Sequence, residues 1–297
     1  MTGRRLIAVT GARGRLGSAL VARLAAEDRP HLAWGRPLYD LDRPASADPL
    51  VRSDRPAVVI HAAAWTDVDG CARDPGLATR RNGEAVGVLA RACRQFGAGL
   101  VVVSTNEVFD GRRTDRRGYA ETDVTSPINP YGLSKLEGER LAAEAFGMTP
   151  SALGAGLWIV RTAWLYGPPG ADFPRKILAA ADRLRPGAAL PVVHDEIGSP
   201  TFAADLAAAI LRLVDAAAGG LYHLVNRGAV SRLDWAARVL EQCGRASPLE
   251  PIGHDTYERA SAAPAWAVLD ASRATALGVT MRPWADAFDD YAPSICP

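Results

Sequence analysis

Tyr131 and Lys135 stand four residues apart in PINPYGLSKLEGER. That spacing puts two side chains on one face of a helix. A free phenol has a pKa near ~10 and exchanges protons poorly at neutral pH. A neighbouring ammonium favours the phenolate and lowers that value. The pair is therefore suited to trading a proton with a carbonyl or alcohol oxygen. Of 34 lysines and arginines in the chain, only Lys135 and Lys176 are lysines. A compact ammonium and a planar guanidinium fork are not interchangeable, so lysine at 135 reads as a requirement of shape. Thr105 follows an apolar run and offers a hydroxyl to the same oxygen.

A second group of residues suits phosphate. Gly11, Gly14 and Gly17 lie between a β-rich run and a helical one. Such a turn lets backbone N–H groups and a helix N-terminus face a pyrophosphate. Contacts to a dinucleotide are expected from Gly11, Arg13, Gly14, Arg15, Leu16 and Gly17. After the next strand the chain reads Trp34-Gly35-Arg36, where an NAD site would carry an acidic residue for the ribose 2′-hydroxyl. Arg13 and Arg36 suit a 2′-phosphate instead, so NADPH is the expected cofactor, with NADH the alternative.

The elements that must hold these groups alternate. Strands are predicted at 6–10, 31–34, 58–61, 100–104 and in GLWIVRTAWLYG. The unbroken apolar runs are those of strands covered on both faces. Leu16, Leu20 and Leu24 recur at helical spacing, and helices are predicted in GEAVGVLARACRQFG, from Tyr131, and in TFAADLAAAILRLVDAAAGG. The alternation predicts an α/β fold: a Rossmann-type, doubly wound parallel sheet with a smaller, mostly helical C-terminal part. Residues 1–166 plus about 195–226 are expected to bind the dinucleotide. Residues 167–194 plus 227–297, read as helical fragments, are expected to bind substrate.

The bulk properties exclude several classes. With 297 residues, 48% apolar and a net charge of +1, the chain can form a sizeable core. It has no charge excess to draw it to nucleic acid or a membrane surface. Arg4 and Arg5 precede only LIAVT, too short for a signal segment, and no stretch reaches the ~20 apolar residues of a membrane span. Cys71, Cys93, Cys243 and Cys296 are scattered, as are the five histidines. Neither a disulfide framework nor a metal site is predicted, and the expected location is the reducing cytoplasm.

The glycine turn, the Tyr131/Lys135 pair and Thr105 together resemble the extended short-chain dehydrogenase/reductases, and more narrowly the dTDP-4-dehydrorhamnose reductases. HAAAWTDVDGC, Asn82, STNEVFDG, RTAWLYG, DEIGSPTFAADLA and GLYHLVN extend the resemblance over most of residues 6–226. The resemblance implies an oxidoreductase in which Tyr131 protonates a C4 keto oxygen shared with Thr105. Lys135 would hold the nicotinamide ribose and tune the tyrosine, and Ala62, Ala63 and Ala64 would line the cofactor. Thr66, Val68, Asn106, Glu107 and Trp164 would flank a nucleotide-sugar substrate, though packing is an alternative role for Val68 and Trp164. A homodimer is compatible with the resemblance.

Two departures matter. Asn106 and Glu107 replace the Asp-Tyr of the reductases, and the acid a dehydratase needs is missing at 106. Near the C-terminus Ala263 stands where an arginine is expected, leaving Arg259 or Arg273 to face a diphosphate. An epimerase or dehydratase retaining NAD, and a catalytically silent cofactor-binding subunit, are the alternative readings.

Overall fold

The computed structural model describes residues 5–185 and 187–296; Arg4 lies outside them. The chain opens with β1 (Ile7–Thr10), α1 (Arg15–Ala26), β2 (His31–Trp34), α2 (Ala47–Asp54) and β3 (Val58–His61). Short helices α3 (Val68–Arg73) and α4 (Pro75–Ala78) follow. A π-helical turn over Thr79–Glu84 then leads into α5 (Ala85–Phe96). Next come β4 (Gly99–Thr105), α6 (Pro130–Ala145) and β5 (Leu157–Thr162). After β6 (Leu165–Tyr166) stand α7 (Phe173–Ala181), β7 (Leu190–Val193), β8 (Ile197–Gly198) and β9 (Thr201–Phe202). The chain ends with α8 (Ala203–Ala216), β10 (Gly220–His223), β11 (Val230–Ser231), α9 (Arg232–Gln242), β12 (Leu249–Ile252), α10 (Ser272–Ala276) and α11 (Trp284–Tyr291).

Six strands form the central sheet in the order β10-β5-β4-β3-β1-β2, every pair parallel. A parallel sheet needs helices on both faces. Leu16, Leu20 and Leu24 of α1 pack with Leu206, Ile210 and Leu213 of α8 on one face. Val51, Val86, Leu89, Cys93 and Ala142 cover the other. A separate apolar cluster joins Tyr166, Ile177, Val192, Trp235, Val239, Phe288 and Tyr291. The predicted α/β class and parallel sheet are therefore present.

Helix starts follow side-chain chemistry. Asn129 Oδ1 accepts from the Gly132 amide ahead of Pro130, and Asp172 Oδ1 accepts from Arg175 N ahead of Pro174. Each satisfies an otherwise orphaned amide.

One expectation is refined and one corrected. The C-terminal part is mostly helical, as expected, but also contains short strands: β11 pairs with β8, and β12 with β7. Strands of two to four residues show too few alternations to be read as a period. The scattered cysteines predict no disulfide, yet Cys243 is bonded to Cys296. The chain returns after 53 residues to the end of α9, a proximity that spacing alone does not reveal. Among the described residues, no helix is long and apolar enough to cross a membrane.

Candidate active site

Two glycines fix the turn after β1. Gly11 has φ +63°, and a Cβ there would lie 2.8 Å from the Ala63 backbone. A Cβ on Gly17 would lie 2.1 Å from Gly11 O. The turn is thus pressed against the chain leaving β3, and only glycine fits. At its end α1 begins with Gly14, which makes no side-chain cap, so the helix N-terminus is left for an anion. A cavity of about 440 Å³ opens here, lined by Gly11, Arg13, Gly14, Gly35, Arg36 and Ala62–Ala64, with Tyr39–Asp42, Trp65 and Arg81.

The residues expected at the cofactor divide in their roles. Arg13 lies against Gly35, its Cγ 3.7 Å from where a Cβ would stand, and Arg36 is exposed at the rim. The rim is not purely cationic, since Asp40 and Asp42 share it. Leu16 points into the core. Arg15 turns away from the cavity: its Nε donates to Gly167 O (2.6 Å) and its Nη2 to Ala171 O (2.9 Å). Only the backbone of Leu16 and Arg15 remains at the turn. The cavity, the glycine cradle and the uncapped helix end fit a dinucleotide.

At the carboxyl end of β4 the structure brings Thr105 and Tyr131 together, the Thr105 side chain close enough to act on the phenol's pKa. Gly132 makes this approach available: a Cβ there would fall 2.1 Å from Glu107 O. Thr105 Oγ1 also accepts from Glu107 N (3.2 Å) and donates to Asn106 Oδ1 (3.3 Å). Lys135, one turn on, is buried and donates to Val103 O at 2.7 Å.

The electrostatics differ from the expectation that the ammonium lowers the phenol's pKa. Burial raises the Tyr131 pKa and the Glu107 charge raises it further, while the Thr105 hydrogen bond lowers it. Burial pushes Lys135 down to about 8, opposed by the Glu139 charge. A buried ammonium tied to a carbonyl, beside Glu139, is a weak partner for the phenol. Glu139 is itself held by Arg161 Nε (3.0 Å) and Nη2 (2.7 Å).

The expected substrate contacts sit on several elements. Asn106 is buried. Glu107 Oε2 accepts from Asn129 Nδ2 (2.6 Å), and burial raises its pKa. Thr66 is exposed before α3, and Val68 starts that helix half-buried. Trp164 (φ +42°) stacks on Trp235, and the Arg232 guanidinium lies 3.5 Å from its ring centroid. The Glu107 charge acts on Arg232 and is acted on by Arg259, both of which line a second cavity. That cavity, about 350 Å³, also contains Phe173, Lys176, Glu196 and Tyr257. Arg259 is paired there with Glu196. Arg273 instead lies over Tyr222, bordering a different cavity with Glu121 and Arg161. Arg232, Lys176 and Tyr257 escaped the sequence reading, because their convergence joins segments distant in the chain.

Residues 4–295 match the family described as RmlD substrate binding domain. A dTDP-4-dehydrorhamnose reductase of Mycobacterium tuberculosis is 40% identical, the match covering 97% of this chain and 92% of the relative. A dTDP-4-keto-6-deoxy-D-glucose reductase of Streptomyces niveus is 36% identical, over 96% of each. A crystal structure of dTDP-4-dehydrorhamnose reductase from Bacillus anthracis, in complex with NADP, superposes with a TM-score of 0.89 at 29% identity. It covers 98% of this chain and 99% of its own.

Proposed function

The chain belongs to the RmlD substrate binding domain family, and from that premise we propose that it reduces the C4 keto group of a nucleotide-linked 4-keto-6-deoxy sugar with NADPH. The observation that supports the reading is Thr105 at the carboxyl end of β4 with Tyr131 beside it, one helical turn before Lys135, where ligands of open α/β sheets bind. The named relatives reduce dTDP-linked sugars, and the Bacillus anthracis protein binds NADP. The sugar nucleotide of this chain is accordingly a dTDP sugar.

In this reading the 11–17 turn and the start of α1 hold the pyrophosphate, Ala62–Ala64 border the dinucleotide, and Arg13 and Arg36 face the 2′-phosphate. The reduced nicotinamide supplies the hydride. Tyr131, kept neutral by burial, carries the proton for the keto oxygen, and Thr105 turns its one hydroxyl proton from Asn106 Oδ1 to the same oxygen. Lys135 spends one N–H on Val103 O and has others for the ribose hydroxyls. Glu107 and Asn129 brace the turn around Tyr131.

The substrate nucleotide is assigned to the cavity of Lys176, Arg232 and Arg259, with Arg259 in place of the cation missing at 263. Residues 1–166 plus about 195–226 then serve the cofactor, and 167–194 plus 227–297 the sugar nucleotide. The apolar cluster around Trp235, drawn mainly from residues 173–192 and 230–292, supports that division, with Tyr166 and Phe202 reaching it from the cofactor part.

The test is to mix protein, NADPH and dTDP-4-keto-6-deoxyglucose, alone and with a sugar epimerase, and follow reduced-cofactor absorbance. Stoichiometric loss of NADPH with a C4 alcohol product is expected. Turnover without net NADPH consumption, from protein purified with NAD attached, would replace reduction with epimerisation.

A further inference from the structure

Arg81 is the feature of the cofactor cavity that the proposed chemistry does not use. It lies in the π-helical turn between α4 and α5, a geometry that recurs at functional sites. Its Nε and Nη2 donate to Asp42 Oδ1 (2.6 Å) and Oδ2 (2.7 Å), a bidentate pair. Its guanidinium carbon sits 5.2 Å from the Trp65 ring centroid. Arg81, Asp42 and Trp65 all line the 440 Å³ cavity with Gly11 and Ala62–Ala64. The pair therefore joins two connections across one cavity: the segment after β2 and the segment after β3.

The two sides differ in firmness. Asn82, next to Arg81, is buried; it accepts from Trp65 N (2.8 Å) and donates to Trp65 O (3.0 Å) and Ser134 Oγ (3.1 Å). Arg81 is thus anchored to the helix that carries Tyr131. Asp42 stands on an exposed turn, where its amide donates to Asp40 Oδ1. The Arg81 hydrogen bond holds the Asp42 carboxyl below the usual carboxylate range, so the pair is charged at neutral pH. With side-chain exposures of 26% and 46%, it is too solvated to hold the fold together.

We propose that the Arg81–Asp42 pair is a strap across the cofactor cavity that sets how fast the dinucleotide leaves. The proposal rests on the reading of this cavity as the NADPH site. Opening needs only the exposed Asp42 carboxylate to part from the anchored arginine, while Tyr39 keeps the start of the turn in the core. A half-exposed bidentate pair opens readily, so it suits a gate.

The experiment loads wild type, Arg81→Ala, Asp42→Asn and the double variant with NADPH, then with NADH. Dissociation is followed by stopped-flow cofactor fluorescence on displacement with excess NADP⁺, and thermal midpoints report folding. Each single change is expected to raise the off-rate about threefold or more, on the scale of a half-exposed ion pair. The double change should add little, because both singles break one contact. NADH should be released faster by the same factor. Unchanged off-rates would overturn the strap. So would Arg81→Ala accelerating NADPH release alone, which would make Arg81 a phosphate contact. A wild type that binds neither dinucleotide would remove the cofactor reading itself, and the strap with it.

Discussion

A phenol kept neutral by burial holds its proton until a reacting oxygen calls for it, and in the proposed reaction Lys135, one helical turn on, holds the nicotinamide ribose. Burial brings that lysine down to about 8. Below pH 8 it is an ammonium, and above it loses its charge. Turnover is therefore expected to hold from neutrality to pH 8 and to fall through one ionisation as the pH rises further. A kcat profile measured at saturating cofactor checks this, and a rate still climbing at pH 10 would contradict it. Gly35 governs the other end of the cofactor. A Cβ there meets only the Arg13 side chain, at 3.7–3.9 Å, so an aspartate fits. Gly35→Asp is expected to cut the NADPH/NADH preference by about tenfold, ~1.4 kcal/mol, measured as a ratio of kcat/KM values. At this scale the sequence was informative where partners share a helix turn, as Tyr131 and Lys135 do. It was silent on Arg81 and Asp42, which lie 39 residues apart and meet only once the sheet has formed. The sign of the Tyr131 shift was equally hidden, because it is set by burial and by the Glu107 charge.

Helix α1 shows how an element can serve two sites. A cation in its first turn opposes the helix dipole, yet Arg15 is there, and the carbonyls of Gly167 and Ala171 offset the cost. Those carbonyls lie in the loop that enters α7, which carries Phe173 and Lys176 to the second cavity. Arg15→Ala is therefore expected to raise KM for the keto sugar several-fold and to leave NADPH affinity within about twofold. Fluorescence titration and steady-state kinetics separate the two, and a large loss of NADPH affinity would return Arg15 to the phosphate. The main strands and helices were legible because apolar runs and 3.6-residue periods are long enough to count. The π turn was not, since one extra residue inside a helical stretch hardly disturbs its apolar pattern. Trp164 likewise read as a sugar contact, while its stacking on Trp235 depends on α9, about 70 residues downstream.

For the molecule as a whole, the disulfide Cys243–Cys296 ties the C-terminal end to α9, beside the cluster of Trp235 and Tyr291. Closing a loop of this size is worth about 2–4 kcal/mol. Reduction, or Cys243→Ser, is expected to lower the thermal midpoint by several degrees, with peptide mapping under non-reducing conditions confirming the bond. A midpoint indifferent to reductant would show the pair unlinked in solution. The largest proposal at this scale is that cofactor and sugar, held in cavities built from separate segments, both reach one phenol, which itself lines neither cavity. Tyr131→Phe tests it most directly, with NADPH binding followed by fluorescence and keto-sugar reduction by absorbance on the same preparation. The account predicts cofactor affinity close to wild type and turnover lower by about 10²–10⁴-fold. Turnover near wild type would show that the proton comes from another group.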